Sequence, residues 1–303
     1  MVDHLEHAGS ESWRKFGRAK LEQQYSPSSC VADLDALIAA YAMRSRVSES
    51  RARVLKGLKY GEHPDESLDF FPARNKCSAL HIFIHGGYWQ ELSKNESTFP
   101  GADFVDNGIA FAAVNFTLAP AAKIGHMVEQ CRKSVVWLHG NAENLGFDSE
   151  SIFLSGSSAG AHLASMVLLS SWKAYGMPPD PIKGATLISG IYDLRPICPT
   201  YVNEPLQMDE AQAKALSPVF KNLSGMPPAI ICWGENETDE FKRQSREFSQ
   251  AWQEAGAQAE TFEVTGHNHF DIVHTLADPQ AMLGRHVYAQ VSLVRRRTCA
   301  KEC

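Results

Sequence analysis

Residues 151–163 read SIFLSGSSAGAHL, and this stretch decides what kind of fold to expect. A short apolar run leads into Gly156-Ser157-Ser158-Ala159-Gly160, and a helix-forming stretch follows. The five residues match G-x-S-x-G in one register, with Ser158 at the centre. An entering strand and a leaving helix are the setting of a nucleophile elbow, in which flanking glycines allow a sharp turn that exposes the serine hydroxyl. Ser158 is therefore the candidate nucleophile. The alternative is a serine in a glycine-rich turn of a non-catalytic domain.

Short apolar runs bounded by Gly, Pro and Asn recur on both sides of this stretch and predict buried strands. The predicted strands are 80–84, 109–116, 151–155, 185–189, 229–233 and 260–264. Stretches with helical spacing lie between or beside them, at 128–139, 159–171 and 240–255. This alternation predicts crossover connections and an α/β fold, with a mainly parallel central sheet flanked by helices.

Two segments depart from the alternation and predict additions to one α/β domain. Residues 1–56 read as an N-terminal extension of mostly polar helices, one of them at 31–43, and residues 57–303 read as the α/β domain. Within that domain, residues 195–228 hold six prolines and a polar helix near 209–215, and we expect them to form a cap or lid over the sheet's active edge. The N-terminal helices have two open interpretations, packing over the site or forming a homodimer contact.

Composition limits the partners and the compartment. The chain has 303 residues, a formal net charge of −6 and 44% hydrophobic residues, which argues against a nucleic-acid or membrane partner and allows a large core. No apolar run approaches the roughly 18 residues of a membrane span, and the polar N-terminus lacks the apolar core of a secretory signal. Seven scattered cysteines without a CxxC pair indicate neither a disulfide framework nor a cysteine zinc site. We expect a cytoplasmic protein that acts on a small molecule.

A predicted strand runs directly into His85-Gly86-Gly87-Tyr88-Trp89. Acyl transfer needs N–H donors for the negative charge that develops on the carbonyl oxygen, and a Gly-Gly pair at a strand end lets the backbone approach the substrate closely. The expected donors of this oxyanion hole are the N–H groups of Gly86 and Gly87, with Tyr88 as a further one, and that of Ala159 after the nucleophile. The alternative is a glycine turn that caps a strand.

The acid of such a site is expected just after a later strand. The predicted strand 229–233 leads to Gly234-Glu235-Asn236-Glu237-Thr238-Asp239-Glu240, which holds four carboxylates. Glu237 stands where the turn would aim a side chain at the base, and it is preferred to Asp239, whose other role is to cap the helix that follows. Glu235 and Glu240 are expected to be solvated charges.

The base is expected after the next strand, where the sequence reads Gly266-His267-Asn268-His269-Phe270. A histidine here completes the chain order Ser, acid, His, and it can take the Ser158 proton and return it to the leaving group. Composition does not decide whether His267 or His269 is the base. The H-x-H spacing also suggests a metal pair, but no carboxylate or further histidine has matching ligand spacing, so we expect no metal site.

These motifs resemble the serine-dependent kynurenine formamidases (arylformamidases) and their bacterial relatives within the α/β-hydrolase superfamily. The similarity covers roughly residues 78–275, and Tyr25-Ser26-Pro27 is a fainter echo before that. It runs through HGGYW (85–89), SAGAHL (158–163), SGIYDL (189–194), EFKRQSREF (240–248) and HFDI (269–272). The aromatic pair of HGGYW separates this group from general esterases, and the resemblance implies the α/β-hydrolase fold.

The resemblance also implies roles by position. The family's base precedes Phe-Asp-Ile, which selects His269. Its acid, an Asp or a Glu, lies three residues before the Glu-Phe pair, which selects Glu237. Substrate contacts are implied for His85, Tyr88 and Trp89, with the two aromatic residues shaping an apolar slot for an anilide ring.

The implied reaction is acyl transfer that needs no metal and no organic cofactor. Hydrolysis of N-formylkynurenine would give kynurenine and formate, a step of tryptophan catabolism. Ser157 stands where many family members have histidine, which leaves the physiological substrate open. A carboxylesterase, or an amide or carbamate hydrolase, would use the same triad. A non-catalytic binding protein on this fold should have lost a triad member, and a metal-dependent amidohydrolase would be sensitive to chelators.

Overall fold

A computed structural model describes residues 11–299, with side chains through residue 294. Its strands are β1 (Leu55–Lys59), β2 (Ser67–Phe71), β3 (Ser78–Ile84), β4 (Ala110–Val114), β5 (Phe147–Ser157), β6 (Ile182–Ile188), β7 (Ala229–Asn236) and β8 (Ala259–Asn268). Its α-helices are α1 (Arg18–Gln24), α2 (Leu34–Arg51), α3 (Gly101–Asp106), α4 (Ile124–Gly140), α5 (Ala142–Leu145), α6 (Ala159–Leu168), α7 (Glu210–Ala215), α8 (Asp239–Glu254) and α9 (Met282–Cys299). Residues 1–10 of the predicted extension and 300–303 of the predicted α/β domain lie outside the described residues.

The strands form one sheet in the order β1-β2-β4-β3-β5-β6-β7-β8. From β4 to β8 every neighbouring pair is parallel, with helices in the connections, which confirms the predicted mainly parallel α/β sheet. The six predicted strands are β3 to β8.

The sequence prediction missed β1 and β2, which pair antiparallel with each other, while β2 also pairs antiparallel with β4. Strand β1 begins at Leu55, so it spans the boundary predicted at residue 56. Strand β2 reads SLDFF and is buried throughout, so it lacks the alternation of a half-exposed strand. Its buried Asp69 is an unusual strand residue, and it is held by the Gly57 N–H at 2.7 Å and by Lys94 at 2.8 Å.

Apolar side chains cover both faces of the sheet, because alternate residues of each strand point to opposite sides. One core packs helices α4, α6 and α8 against residues such as Ile82 and Leu154. The other packs α2, α3 and α9 against residues such as Phe83 and Phe153. Continuous burial along β3 and β4 follows from this double covering and is typical of parallel strands.

The segment 195–228 connects β6 to β7 and consists of three 3₁₀ turns and helix α7. Asp209 caps α7 through the Gln212 N–H, and the Gln212 side chain accepts from the Asp209 N–H in return. This capping box explains why so short and polar a stretch is helical. The service of the segment as a lid stays a prediction. No helix within residues 11–299 is both long and apolar enough to cross a membrane.

Candidate active site

The strands deliver the candidate residues to one edge of the sheet. In register, Ile84 of β3 lies beside Gly156 of β5, and Ser157 lies beside Ile188 of β6. On the other side, Asn236 of β7 lies beside Asn268 of β8. Because carboxyl ends of parallel strands meet at the same edge, the loops that follow these residues converge there.

Ser158 sits at the sharp turn between β5 and α6. Its backbone has φ 57° and ψ −122°, a region that non-glycine residues adopt at a cost of about 1–3 kcal/mol. The Ser158 N–H donates to Ile188 O at 2.8 Å, which holds the turn against β6. A Cβ atom on Gly160 would lie 2.1 Å from Ile84 O, so only glycine lets the helix start this close to β3. The local geometry is that of a nucleophile elbow.

The Gly86-Gly87 loop passes directly over this turn. A Cβ atom on Gly86 would lie 2.9 Å from Ser157 O and 3.2 Å from Ser158 Cβ, so a larger residue would push the two loops apart. Within the described residues, the N–H groups of Gly86 and Gly87 donate to no acceptor. The Ala159 N–H belongs to the first turn of α6, where backbone donors have no partner within the helix. These three donors therefore remain available close to the serine.

Glu237 and His269 form a buried pair. His269 Nδ1 donates to Glu237 Oε2 at 2.9 Å, and the two side chains are 6% and 1% exposed. The other carboxylate oxygen accepts from the Gly234 N–H and from Ser189 Oγ, each at 2.6 Å. The carboxylate is thus held from both sides. With the proton on Nδ1, the imidazole keeps Nε2 as an acceptor, which is the tautomer that a general base needs.

The competing candidates lie elsewhere. His267 pairs with Asp271 at 2.9 Å, and both side chains are one-third exposed. Asp239 is exposed and is the first residue of α8, and the capping position before it belongs to Thr238. Among the described residues no group of three or more His, Cys, Asp or Glu side chains could hold a metal ion.

The prediction that Glu240 is a solvated charge is wrong, because the residue is only 3% exposed. Arg243 Nε donates to it at 2.9 Å, and the Tyr25 hydroxyl donates to it at 2.9 Å. The Gln244 amide donates to the same hydroxyl at 2.7 Å. The residue is buried because the N-terminal segment covers this end of α8, a contact that the local sequence does not reveal.

The three residues predicted to contact substrate do not all lie at the cavity in the structure. His85 and Tyr88 line the cavity that contains Ser158. His85 donates from Nδ1 to Gly86 O at 2.9 Å and stacks on Phe116, and burial lowers its pKa to about 4, so it is neutral at pH 7.

Trp89 does not line this cavity. It is fully buried, and its indole N–H donates to His162 Nδ1 at 3.2 Å. The pairing of neighbouring aromatic residues predicted a shared slot, but both residues have left-handed backbone, with φ 49° for Tyr88 and 62° for Trp89. In this structure Trp89 packs the loop onto α6, and its contact with substrate stays a prediction.

The cavity at this edge has a volume of about 250 Å³, and Ser158 and His269 both line it. Aromatic and aliphatic side chains form most of its wall, including Phe83, Phe99 and Phe270. Glu91 is the acidic residue of the lining, and no lysine or arginine of the described chain contributes to it. The volume is at the small end for ligand pockets, and the lining favours a small, largely apolar substrate.

Two contributions were missed by reasoning from sequence. The first is Ser189, whose hydroxyl holds Glu237. It ends a predicted strand at the edge that carries the other candidates, so its position was a usable signal. The second is the set of wall residues supplied by the N-terminal segment, whose packing over the site was one of the two interpretations left open. Its share of the cavity wall is Pro27, Ser28, Leu34, Ile38 and Tyr41. No motif marks these residues, since their contacts are with elements far along the chain.

Comparison with known proteins places the chain among hydrolases. Residues 68–175 match the family model described as BD-FAE. A kynurenine formamidase from Danio rerio is 38% identical over 89% of this chain and 95% of its own length. A kynurenine formamidase from Salmo salar is 37% identical over 88% of this chain and 94% of its own.

Solved structures show the same fold. A putative thioesterase from Silicibacter sp. TM1040 superposes with a TM-score of 0.76 at 26% identity, covering 88% of this chain and 98% of its own. An esterase from Pyrobaculum calidifontis superposes with a TM-score of 0.67 at 18% identity, covering 88% of this chain and 94% of its own.

Proposed function

The chain belongs to the kynurenine formamidase family of α/β-hydrolases, and from that membership we propose that this hydrolase cleaves N-formylkynurenine to kynurenine and formate. The observation that carries the proposal is a cavity shared by Ser158 and His269, with His269 bonded to the buried Glu237 at 2.9 Å. Ser158, His269 and Glu237 are then nucleophile, base and acid.

The proposed reaction has two halves. Ser158 Oγ attacks the formyl carbon while its proton passes to His269 Nε2, and the carbonyl oxygen becomes an oxyanion. The N–H groups of Gly86, Gly87 and Ala159 are the proposed donors to it, and loss of one such donor typically costs about 3–4 kcal/mol of barrier. His269 then protonates the leaving aryl amine. In the second half, water gives its proton to His269 and attacks the formyl-enzyme, which releases formate and restores Ser158.

Features of the cavity support a small acyl group and an aromatic leaving group. Its volume of about 250 Å³ suits a formyl substituent better than a long acyl chain, and Tyr88 on its wall offers an aromatic surface. His85 belongs to the same wall, and we propose that it contacts the substrate as a neutral side chain. Ser157 also lines the cavity, so the position where many family members have histidine lies next to the proposed substrate.

A carboxylesterase is the second candidate, and the lack of a lysine or arginine among the described cavity residues favours it. N-Formylkynurenine carries a carboxylate that a cationic residue would pair with, whereas a small neutral ester needs no such partner. The two candidates share the proposed triad and differ in substrate alone.

The test compares kcat/KM for N-formylkynurenine, its N-acetyl analogue and p-nitrophenyl acetate. The formamidase proposal expects N-formylkynurenine to be cleaved at least tenfold more efficiently than the acetyl analogue, at a value of about 10⁴ M⁻¹s⁻¹ or more. Efficient ester cleavage with poor cleavage of both kynurenines would contradict it and favour the carboxylesterase.

We further propose a cytoplasmic enzyme whose partner is its small-molecule substrate, without nucleic acid or membrane. The net charge of −6 supports the absence of a nucleic-acid or anionic-membrane partner. A homodimer is the remaining part of the prediction, and light scattering of the purified protein measures it directly.

A further inference from the structure

Tyr41 connects the N-terminal segment to the candidate active site. It lies in the middle of α2, is 8% exposed, and lines the cavity together with Ser158 and His269. Its ring packs against Phe99 at 5.8 Å and His274 at 4.9 Å between ring centroids. The side chain is therefore held in the cavity wall by its aromatic neighbours.

The Tyr41 hydroxyl donates to Phe270 O at 2.7 Å. Phe270 directly follows His269, so the bond holds the backbone of the loop that carries the imidazole. Asn268 and Asp271 bond within that loop, with the Asn268 N–H donating to Asp271 at 2.9 Å. Tyr41, in contrast, holds this loop from a position 229 residues earlier in the chain.

The surroundings keep Tyr41 a hydrogen-bond donor. Burial raises the pKa of its phenol well above the ordinary value, and the charges of Asp271 and Glu237 raise it further. The phenol therefore stays protonated over the whole range in which the enzyme would work. A neutral donor to a backbone carbonyl suits this position, since ionisation would place a second negative charge near Glu237.

We propose that Tyr41 is a positioning residue for His269, and that its ring sets the largest substrate that the cavity accepts. The hydroxyl fixes the loop that aims the imidazole at Ser158, and the ring closes one side of the cavity. This inference rests on the proposed hydrolysis by Ser158 and His269, but it does not depend on N-formylkynurenine being the substrate.

Tyr60 provides a matched control. It is also buried, at 6% exposure, and its hydroxyl also donates to a backbone carbonyl, that of Asn115. It does not line the cavity. Tyr41→Phe and Tyr60→Phe thus delete chemically equivalent hydrogen bonds, the first beside the candidate site and the second away from it.

The experiment measures kcat and KM on p-nitrophenyl acetate for the parent, Tyr41→Phe and Tyr60→Phe, with melting temperatures for all three. For Tyr41→Phe we expect kcat to fall about tenfold with KM nearly unchanged. This lies between the roughly fivefold that one neutral hydrogen bond represents and the roughly hundredfold that a 1 Å misplacement costs. Tyr60→Phe should lower the melting temperature to a similar extent and leave kcat within twofold. If both variants keep the parent kcat, or both lose it equally, Tyr41 does not position His269.

Tyr41→Leu tests the ring. Two series of substrates are used, p-nitrophenyl esters of two to eight acyl carbons and formanilides bearing larger rings. In at least one of them, Tyr41→Leu should shift the enzyme's preference toward larger substrates. Tyr41→Phe should keep the parent profile in both. Unchanged profiles for Tyr41→Leu in both series would overturn the assignment of the ring. If formanilides are not cleaved by any variant, the formamidase proposal fails while the ester series still decides the role of Tyr41.

Discussion

Replacing Ser189 by alanine removes one of the two hydrogen bonds that Glu237 Oε1 accepts. Ser189 is fully buried, and its hydroxyl lies 2.6 Å from that oxygen. The Gly234 N–H would remain as the other donor at 2.6 Å. The carboxylate would then be held less firmly in the orientation that accepts a hydrogen bond from His269 Nδ1. We expect activity and stability both to fall.

The structure sets the size of the effect. A hydrogen bond to a charged group contributes about 1.5–3 kcal/mol, and the full burial of Ser189 excludes a water molecule from replacing it cheaply. If most of this energy orients Glu237 in the transition state, kcat/KM falls by about ten- to a hundredfold, since about 1.4 kcal/mol corresponds to tenfold. The free energy of unfolding should fall by a similar amount.

A glycine at the same position separates orientation from stability. Ser189 has φ 51°, which strains any residue with a Cβ atom. Ser189→Gly loses the same hydroxyl as Ser189→Ala but relieves strain of about 1 kcal/mol or more. The glycine variant should therefore unfold at higher urea concentration than the alanine variant, while both lose activity equally.

The assay is kcat/KM on p-nitrophenyl acetate, paired with urea unfolding. Ser134→Ala is the control, because its buried hydroxyl donates at 2.7 Å to Cys131 O within α4, away from the site. The proposed role of Ser189 is refuted if either Ser189 variant keeps activity within twofold of the parent. It is also refuted if activity follows stability, with glycine active and alanine inactive.

Two further predictions concern stability. Glu240→Ala leaves the largely buried Arg243 guanidinium without its main partner. The free energy of unfolding measured by urea titration should therefore fall by about 3 kcal/mol. A loss under about 1 kcal/mol would contradict the buried pairing. His274→Phe keeps the ring but removes two nitrogens that lack hydrogen-bond partners among the described residues. Burial lowers the pKa of His274 to about 4, so the unfolded chain binds a proton that the folded one does not between about pH 6.5 and 4, and stability is lost as pH falls through that range. His274→Phe should therefore gain on the parent as the solution is acidified, by at most about 1.4 kcal/mol per pH unit, whereas parallel pH profiles would show that His274 does not titrate in this way.

Local patterns predicted much of the sheet and the candidate residues. The elbow around Ser158 is a property of five adjacent residues and the elements on either side, so its geometry is encoded within a short window. The order of later strands then placed Glu237 and His269 at the same edge, and the pair forms at 2.9 Å. The separation of His269 from His267 needed the family resemblance, because spacing alone treats them alike.

Contacts between distant segments were not predictable in the same way. Glu240 is buried because Tyr25, 215 positions earlier, covers it, and nothing in the sequence around either residue announces this contact. Tyr41 was assigned to a helix by its period, but its bond to Phe270 depends on how α2 crosses the sheet edge. The full burial of Trp89 was not predictable, because the local sequence does not indicate the left-handed backbone that turns it into the core.

The most direct test of the central claim is kcat/KM on p-nitrophenyl acetate and on N-formylkynurenine for the parent and for Ser158→Ala. Because Ser158 is the proposed nucleophile, we expect the variant to lose at least about a thousandfold on every substrate that the parent cleaves, while its melting temperature stays close to that of the parent. Activity of the folded variant within tenfold of the parent would contradict the assignment of Ser158, and with it the proposed mechanism.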